Sequence, residues 1–434
     1  MRIAILTNFG EFVPGYSLTG IVQDQCRMLQ RHGHDVSVFV LDTYSGKPPL
    51  PNELMNADEH PVKLVKAMPF GHLVDYQSAA DLSQEGDELA DKVCNMLLEH
   101  LTKDKCDIVF THDLIFTGWN LPHSIGIRKA SPHLPHLRWL HWVHSVPSSG
   151  NDWWSIRSYG GNHRIIFPNQ TDRIRVAEQF RGTIDSVRII PHIKDIRTFF
   201  DFQDETCRFI DCYPGVMQSE IVSVYPASTD RLAAKGLDKV IGIIGELKKF
   251  KISVCLVCAN QWATGKARKE DITEYERTAR DAGLVVGEEF IFSSTWNSGK
   301  YDTGLPREIL RELMMLSNLF IFPTREESFG LVGPEISLAS GALMVLNKSL
   351  PMMAEIHGFN GIFCDFGSFV LPDFVPVLPW PEYMRELAKL IISRIREQES
   401  IRNRTHIRKR YNMDYIYSRY YAPVISEAVA GWLP

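Results

Sequence analysis

Two carboxylates lie close together in a segment whose pattern predicts a buried strand, a loop and then a helix. Glu327 and Glu335 are separated by seven residues within NLFIFPTREESFGLVGPEISLA, residues 318–339. An ionised carboxylate only accepts hydrogen bonds, so it can receive two adjacent hydroxyl groups of a sugar or a ribose. The pair therefore indicates recognition of a hydroxyl-rich ligand.

The start of the helix in this segment can be bracketed. Proline is tolerated in a helix only in the first turn, so Pro334 requires the helix to begin between Ser328 and Pro334. Free backbone N–H groups near Phe329 and Gly330 can then hold a phosphate. A plainer interpretation is that Glu335 complements the helix dipole and that the loop glutamate is only solvated.

Other common chemical signatures are missing from the sequence. There is no G-x-G-x-x-G, P-loop, G-x-S-x-G or H-E-x-x-H motif, and no Asp-x-Asp pair. Six histidines occur between His112 and His144, but His141 and His144 are three apart on a predicted strand and should face opposite sides. We therefore predict that no metal is bound.

The elements that position these residues alternate between short apolar strands and helical patterns. This alternation predicts parallel sheets wound by helices, in two consecutive series. The polar, aperiodic residues 201–220 separate the series and are predicted to be a linker. The predicted strands are 3–6, 36–41, 107–110, 139–143, 164–167, 187–190, 221–225, 254–258, 290–292 and 319–322. Ligands of such sheets sit beyond the carboxyl ends of the strands.

Length and composition are those of a folded protein with two or three domains. The chain has 434 residues, of which 44% are hydrophobic and 23% are charged. The first apolar run, residues 3–6, is far shorter than the core of a secretory leader, and no run of about 18 apolar residues occurs, so we expect a cytoplasmic protein without a stable membrane anchor. The eight cysteines are scattered, and Cys255 and Cys258 are predicted to be reduced core thiols.

Charge is distributed unevenly along the chain. The formal net charge is -5, yet residues 121–200 carry eleven Lys or Arg against five Asp or Glu. A second basic stretch, residues 391–421, carries eight against three. Such runs are either solvated surfaces or the walls of a cleft that attracts phosphates.

The acidic segment resembles the Glu, seven residues, Glu motif of retaining glycosyltransferases of the GT-B fold, family 4. The usual form of that motif is E-G-F-G-L-x-x-x-E, and this chain has E-S-F-G-L-V-G-P-E. Three further segments resemble the same family: YSLTGIVQDQCRMLQRHGHDVSVFV, SVRIIPHIKDIRTFF and YPASTDRLAAKGLDKVI. The resemblance covers most of the chain.

The resemblance implies an α/β protein with two Rossmann-like parallel-sheet domains that face each other across a cleft. Residues 1–200 would form the acceptor-side domain and residues 221–410 the nucleotide-sugar domain, with the linker at 201–220. Residues 411–434 would form a helix that crosses back to the N-terminal domain. No cofactor is implied, because the donor is itself a substrate, a nucleoside diphosphate sugar of UDP or GDP type.

The resemblance also assigns roles to donor-site residues. Arg231 and Lys235 would bind the donor diphosphate, although a solvated loop would account for them as well. Glu327 would accept hydrogen bonds from the sugar, and Glu335 would bind the ribose diol. The backbone of the loop between these glutamates would also contact the donor, at Phe329, Gly330 and Leu331.

On the N-terminal domain, Thr19 and Gly20 occupy the place of a glycine pair that approaches the phosphate in relatives. His144 matches a histidine that lies over the donor sugar. A lone histidine at a strand end can equally be structural.

Three departures from the family pattern limit what can be transferred. Arg231 and Lys235 are four residues apart where relatives have five. The sequence Pro-His-Ile-Lys-Asp, residues 191–195, replaces the usual Pro-Asn-Gly-Val-Asp. An apparent insertion, residues 296–304, lies where relatives recognise the nucleotide base.

We therefore predict a metal-independent retaining hexosyl- or pentosyltransferase, and two kinds of alternative stay open. The first is an epimerase or hydrolase on the same fold. The second involves nucleic acid: either a DNA-modifying transferase acting on a hydroxylated base, or a nucleic-acid-binding protein with a degenerate donor site. The acceptor is unassigned, and the basic stretches favour an anionic acceptor or a nucleic acid, with Arg157, Arg164 and Lys194 among the cations that would attract it.

Overall fold

The computed structural model describes residues 1–13, 16–70, 79–115, 120–145, 155–261, 269–369 and 376–431. The chain divides into two compact units. Unit 1 comprises Met1–Asp195 and Tyr411–Pro434, and unit 2 comprises Ile196–Arg410. Each unit is an α/β structure built on parallel strands, as the alternating pattern predicts.

Unit 1 contains a sheet of seven strands. They are β1 (Arg2–Leu6), β2 (Asp35–Leu41), β3 (Val62–Met68), β4 (Ile108–His112), β5 (Arg138–Trp142), β6 (His163–Phe167) and β7 (Val187–Ile189). Their order across the sheet is β3-β2-β1-β4-β5-β6-β7, and all neighbours are parallel. In the register of the central pairs, Ile3 lies opposite Val36 and Ile108. The direction of strand order reverses between β1 and β4, and ligands of open parallel sheets bind at such a reversal. We call the carboxyl ends of β1 and β4 the unit 1 crevice.

Unit 2 contains six strands in two groups of three. They are β8 (Ile221–Ser228), β9 (Val254–Gln261), β10 (Phe290–Phe292), β11 (Leu319–Phe322), β12 (Leu343–Asn347) and β13 (Ile362–Cys364). The groups are ordered β10-β9-β8 and β11-β12-β13. Asn318 joins them, because its N–H donates to the Val222 carbonyl and its Oδ1 accepts from the Val222 N–H, both at 2.9 Å. The order again reverses, between β8 and β11, and we call their carboxyl ends the unit 2 crevice.

Helices cover the sheets of both units. In chain order they are α1 (Ser17–Arg31), α2 (Asn52–Met55), α3 (Gln84–Lys103), α4 (Leu121–Ala130), α5 (Arg173–Gln179), α6 (Ile196–Phe199), α7 (Asp204–Cys212), α8 (Gly215–Gln218), α9 (Leu232–Lys235), α10 (Leu237–Lys249), α11 (Lys269–Asp281), α12 (Arg307–Leu316), α13 (Val332–Ser340), α14 (Met352–His357), α15 (Trp380–Glu397), α16 (Glu399–Arg410), α17 (Met413–Ile416) and α18 (Ala422–Ala430). Among the described residues, no helix has both the length and the apolar composition that crossing a membrane requires.

The core of unit 1 has two parts, one on each face of its sheet. Along β1, Ala4 and Leu6 belong to one apolar cluster and Ile3 and Ile5 to the other, because side chains alternate along a strand. The second cluster also contains Ile416, Tyr421, Val424, Ile425 and Ala428 from the C-terminal segment. The last described residues of the chain therefore pack on the N-terminal sheet.

Residues 201–220, which were predicted to be a linker, contain α7 and α8 and pack within unit 2. Phe209 and Ile210 are buried, and the Thr206 hydroxyl donates to Glu312 Oε2 at 2.5 Å. The composition of this stretch is polar on average, but one of its helices has an apolar face that is buried. The chain passes from one unit to the other between Asp195 and Ile196.

The apparent insertion at residues 296–304 packs into the core of unit 2. The Trp296 side chain is 5% exposed, and its ring lies 5.1 Å from the Phe209 ring and 5.0 Å from the Tyr301 ring. Asn297 and Ser298 have positive φ angles of 52° and 55°, which form the turn between the two aromatic residues. This segment therefore buries apolar surface.

Candidate functional site

Two loops enter the unit 2 crevice and are bonded to each other. The loop after β8 passes through Arg231 into α9, and the loop after β11 spans residues 323–331. The Arg325 N–H donates to the Ala234 carbonyl at 3.0 Å, which joins the two loops. Gly236 has a φ of +72°, and a Cβ there would lie 3.0 Å from the Pro323 carbonyl oxygen. Only glycine combines this conformation with so close an approach.

The loops bring the predicted cations against the acidic motif. Lys235 Nζ forms an ion pair with Glu327 Oε1, and these side chains are 15% and 17% exposed. Arg231 pairs with the adjacent carboxylate, Glu326, at 3.2 Å, in a more exposed position. Glu326 has no place in the family motif, and only the structure shows that it balances Arg231. Two cations and two carboxylates thus occupy one crevice, where a diphosphate could replace the carboxylates as partner of the cations.

The predicted start of the helix after the acidic loop is confirmed. Helix α13 begins at Val332, within the range that Pro334 imposes, and no side chain caps it. Gly330 precedes it with a φ of +73°, and a Cβ there would lie 3.1 Å from the Phe322 ring and 3.6 Å from Glu327 Cγ. Phe329 and Leu331, on either side of the glycine, are exposed. The loop therefore presents backbone N–H groups at the carboxyl end of β11.

Glu335 lies in the first turn of α13, beside α12. Its Oε1 is 3.5 Å from Arg307, and both residues line a groove of about 340 Å³ between the two helices. The structure therefore brings Arg231, Lys235 and Glu327 together, whereas Glu335 has a different cationic neighbour.

His144 belongs to a chain of hydrogen bonds in unit 1. Its Nε2 lies 2.9 Å from His112 Nδ1, and His112 Nε2 lies 2.9 Å from Gln25 Oε1. The Gln25 amide nitrogen donates to the Tyr421 hydroxyl at 2.8 Å. An amide oxygen only accepts, so His112 Nε2 carries the proton and His144 Nε2–H donates to His112 Nδ1. These contacts define the ring orientation and the tautomer of His144.

This histidine is neutral. Burial and the neighbouring His192 ring, 5.1 Å away, lower the pKa of His144 to about 3. Its Nδ1 is buried and accepts no hydrogen bond from the described residues. The structure is compatible with both interpretations of His144. The side chain belongs to a structural hydrogen-bond network, and its Nδ1 atom is an acceptor that no described residue uses.

Thr19 and Gly20 lie in the first turn of α1. The Thr19 hydroxyl lies within 2.8 Å of the Val13 carbonyl and 2.7 Å of the Tyr16 carbonyl, so its one proton is used inside the protein. A Cβ on Gly20 would have nothing within 4 Å, so packing does not require glycine there. Open space at this position would allow a ligand to approach the backbone.

Asp113 is a candidate residue that the sequence analysis did not select. It follows β4 directly and lies in the unit 1 crevice, in a cavity of about 420 Å³ that also contains Asn8 and Asn120. Its φ is +53°, an uncommon conformation for a residue other than glycine. Burial raises its pKa to about 6. The available signal was a carboxylate immediately after a buried strand, in DIVFTHD.

The basic residues of 121–200 are divided between different edges of the unit 1 sheet. Arg157, Arg164 and Arg188 line a cavity of about 810 Å³ together with Asp185 and Glu427. The segments around it lead into β6 and β7, so this cavity lies at the amino ends of the strands, opposite the crevice. The expectation that Arg157 and Arg164 face the ligand crevice is therefore wrong.

Part of the second basic stretch has a structural role. The Arg408 side chain is 5% exposed and donates to the carbonyls of Val216, Met217 and Ser219. Arg404 donates to the Ser340 carbonyl at 2.6 Å and also to that of Met315. These guanidinium groups join α16 to the rest of unit 2, and the buried Arg408 is thereby removed from the surface.

Cys255 and Cys258 are free, buried thiols, as predicted. Cys255 and Cys258 are fully buried in β9, and burial raises the pKa of Cys255 to about 12. Within the ranges that the structure describes, no group of three or more His, Cys, Asp or Glu side chains is arranged to hold a metal ion.

Comparison with known proteins finds solved structures that are similar to this chain at low sequence identity. No family model matches the chain, and no curated protein matches it in sequence. A glycosyltransferase from Rickettsia africae is similar over 99% of this chain and 98% of its own, at 12% identity and a TM-score of 0.38. Anabaena HepE in complex with UDP and glucose is similar over 99% and 98%, at 17% identity and a TM-score of 0.32. Sucrose-phosphate synthase from Thermosynechococcus elongatus is similar over 99% of both chains, at 14% and 0.35. None of these similarities by itself assigns a function to this chain.

Proposed function

We propose that this chain is a retaining glycosyltransferase that moves a hexosyl or pentosyl group from a nucleoside diphosphate sugar to an acceptor hydroxyl. The observation that carries the proposal is the assembly of Lys235, Glu327 and Arg231 on two bonded loops at the unit 2 crevice. Cations, a carboxylate and free backbone N–H groups are the groups that a diphosphate sugar requires.

In this proposal, donor binding breaks the two ion pairs of the crevice. The diphosphate binds Arg231 and Lys235, and Glu327 becomes free to accept hydrogen bonds from the sugar hydroxyls. Glu335 accepts from the ribose, and the N–H groups of residues 329–331 complete the phosphate site. Two cations and the helix start supply the charge stabilisation of the leaving group, so the proposal needs no metal ion.

The chemical step follows the scheme that the family resemblance implies. The bond between the anomeric carbon and the phosphate oxygen breaks, and the acceptor oxygen bonds to that carbon on the same face. The departing phosphate oxygen takes the proton of the acceptor hydroxyl. The protein thus acts by positioning and by stabilising charge, with His144 beside the sugar.

A thermal-shift screen against UDP, GDP and their sugars tests the proposal. A ligand at about a hundred times its dissociation constant stabilises the fold by about 2.7 kcal/mol. We expect this stabilisation in the native chain and its loss in Lys235→Ala. Lys389→Ala is the matched control, because it removes another Lys–Glu pair, with Glu386, on the surface of α15. If no nucleoside diphosphate stabilises the protein, the proposed function is wrong.

The stereochemistry needs a separate measurement. Proton NMR of the first product formed from an α-linked donor should show an α-linked product. A β-linked product would contradict retention and leave sugar transfer itself intact.

A further inference from the structure

The cavity in the unit 1 crevice is built from segments that are far apart in sequence. After β1 it is lined by residues 8–11, after β4 by Asp113, and from α4 by Pro122 and His123. It also includes Tyr16 at the start of α1 and Phe70 after β3. Its volume of about 420 Å³ is sufficient for a single sugar ring or a nucleobase.

Asp113 is held in the cavity by three hydrogen bonds. Its N–H donates to the Trp142 carbonyl at 3.0 Å, and its own carbonyl accepts from the Asn120 amide at 3.1 Å. Its Oδ1 accepts from the His144 N–H at 2.9 Å. These contacts hold the residue at a φ of +53°, and such strained positions are concentrated at functional sites. The second carboxylate oxygen, Oδ2, has no hydrogen-bond donor among the described residues.

The charges around the cavity disfavour anions. Its described lining contains two carboxylates, Glu11 and Asp113, and neither lysine nor arginine. The two histidines of the lining, His112 and His123, are neutral, because burial lowers the pKa of each. By contrast, Arg157, Arg164 and Arg188 line a different cavity of unit 1, at the amino ends of the strands. A phosphate in the crevice cavity would meet like charge with no cation to balance it.

The remaining lining suits a neutral ring that bears hydroxyl groups. The Tyr16 and Phe70 rings are 51% and 54% exposed and offer apolar faces at the cavity. The Asn8 amide donates to Asn120 Oδ1 at 2.9 Å, which orients a pair of amides beside Asp113. The pKa of Tyr16 is raised mainly by burial and also by the charge of Asp113, so the phenol lies close to this carboxylate. Aromatic faces with a few oriented polar groups are typical of sites for such ligands.

We propose that this cavity binds the acceptor as a neutral, hydroxyl-bearing ring, and that Asp113 Oδ2 accepts the hydrogen bond of an acceptor hydroxyl. The inference rests on the proposed function, because it assumes that a sugar is transferred. It replaces the anionic acceptor that the basic stretches suggested. A saccharide and a hydroxymethylated nucleobase share this chemistry, and each can be tested as a small neutral molecule.

The test measures release of the nucleotide from the donor that the thermal-shift screen identifies. The probes are methyl glycosides, 5-hydroxymethyl-2′-deoxyuridine, and the 6-phosphates of the same sugars. We expect a neutral probe to accelerate nucleotide release at least tenfold over the rate in water, and its phosphate to be tenfold less effective. Acceleration by the glycosides identifies a saccharide acceptor, and acceleration by the nucleoside identifies a base.

Variants separate the cavity from the donor site. Asp113→Asn should raise the acceptor KM at least tenfold and leave the donor KM unchanged. Asp185→Asn, in the arginine-lined cavity of the same unit, should change neither constant. Glu11→Gln, at an exposed position, should raise the acceptor KM severalfold, and it provides the readout if Asp113→Asn does not fold.

The outcomes distinguish the two proposals. If the protein neither binds nor consumes any nucleotide sugar, the proposed function fails. If the donor is slowly hydrolysed but only phosphorylated probes accelerate its consumption, or none does, the neutral-acceptor inference is overturned and the donor site stands. An unchanged acceptor KM in both cavity variants would also overturn it.

Discussion

At the scale of single residues, the ion pair of Lys235 and Glu327 dominates the candidate donor site. Both side chains are largely buried, so each charge is stabilised mainly by the other charge and little by water. Removing one member of such a pair leaves an uncompensated charge, which costs more than the pair itself contributes. Tests that remove one of the cations should therefore compare two ligands within one variant.

Replacing Glu327 with glutamine should lower sugar transfer without unfolding the protein. Glutamine keeps the shape of the side chain but loses charge-assisted hydrogen bonds, each about 1.5 to 3 kcal/mol, so we expect a roughly ten- to hundredfold lower kcat/KM. Steady-state kinetics with the donor measure this. Glu386→Gln, on the exposed face of α15, is the control. Unchanged donor kinetics in Glu327→Gln would show that the match to the family motif is accidental.

Arg231→Ala and Lys235→Ala should weaken binding of the diphosphate more than binding of the bare nucleoside. Both cations are assigned to phosphate groups, and a charge-assisted hydrogen bond contributes about 1.5 to 3 kcal/mol. Calorimetry with UDP and uridine, or with the guanine pair, measures both affinities in the same variant, so any change in folding cancels. Equal losses for the nucleoside and the diphosphate would place these residues elsewhere.

At the scale of elements, helix α13 is bounded by two glycines with positive φ angles. Gly330 precedes the helix with φ +73° and touches Phe322, whereas Gly341 ends it with φ +63° and has open space around its Cβ position. A left-handed conformation costs a residue other than glycine roughly 1 kcal/mol. Replacing either glycine with another residue therefore has the same conformational cost, and the two positions differ only in how closely neighbouring atoms pack.

Alanine at these two positions separates packing from conformation. Gly341→Ala should lower the free energy of unfolding by about 1 kcal/mol and leave donor affinity unchanged. Gly330→Ala should lower it further, because the new methyl group would press on the Phe322 ring, and it should weaken donor binding by moving Glu327. Urea unfolding and donor titration measure both effects. If the two variants have the same free energy of unfolding and the same donor affinity, the loop before α13 accommodates the methyl group without moving Glu327.

At the scale of the whole molecule, buried neutral histidines should make the fold sensitive to acid. Burial lowers the pKa of His34 to about 4 and the pKa of His141 to about 3, whereas an unfolded chain has a histidine pKa of about 6.5. Below pH 6.5 these histidines are protonated in the unfolded state but remain neutral in the folded state, so the free energy of unfolding falls as the pH falls. Asp113 opposes this, because a carboxyl with a raised pKa favours the folded state as the pH falls through about 6.

His141→Gln should flatten the pH dependence of stability. His141 bonds to Thr111 and His163 within the sheet and is fully buried. Removing its titration should reduce the slope of unfolding free energy between about pH 6 and 5 by roughly 1.4 kcal/mol per pH unit. Urea unfolding at several pH values measures the slope. The exposed His136→Gln should leave it unchanged, and an unaltered slope in His141→Gln would show that this ring is charged in the folded protein.

Local pattern determines the fold class and the acidic loop. Apolar runs alternating with helical spacing predict parallel sheets because each element buries its own face. Of the thirteen strands in the described residues, ten follow from that pattern. Pro334 restricts the start of α13 because the restriction acts within one helical turn. Three strands were not predicted: β3, β12 and β13. The partly charged β3 and the short edge strand β13 take their stability from neighbouring strands, whereas β12 is a largely apolar run of five residues that the sequence analysis did not select.

Only the tertiary structure decides which distant residues meet. Lys235 and Glu327 are 92 positions apart, and they pair because β8 lies beside β11. Asp113 joins Asn8 because β4 lies beside β1, while Arg157 and Arg164 fall at the opposite edge of the same sheet. Strand order brings these residues together, and that order is determined by the total apolar surface that each unit buries. Partners, burial and therefore the charge of each cavity depend on that order, and no local segment of the sequence contains it.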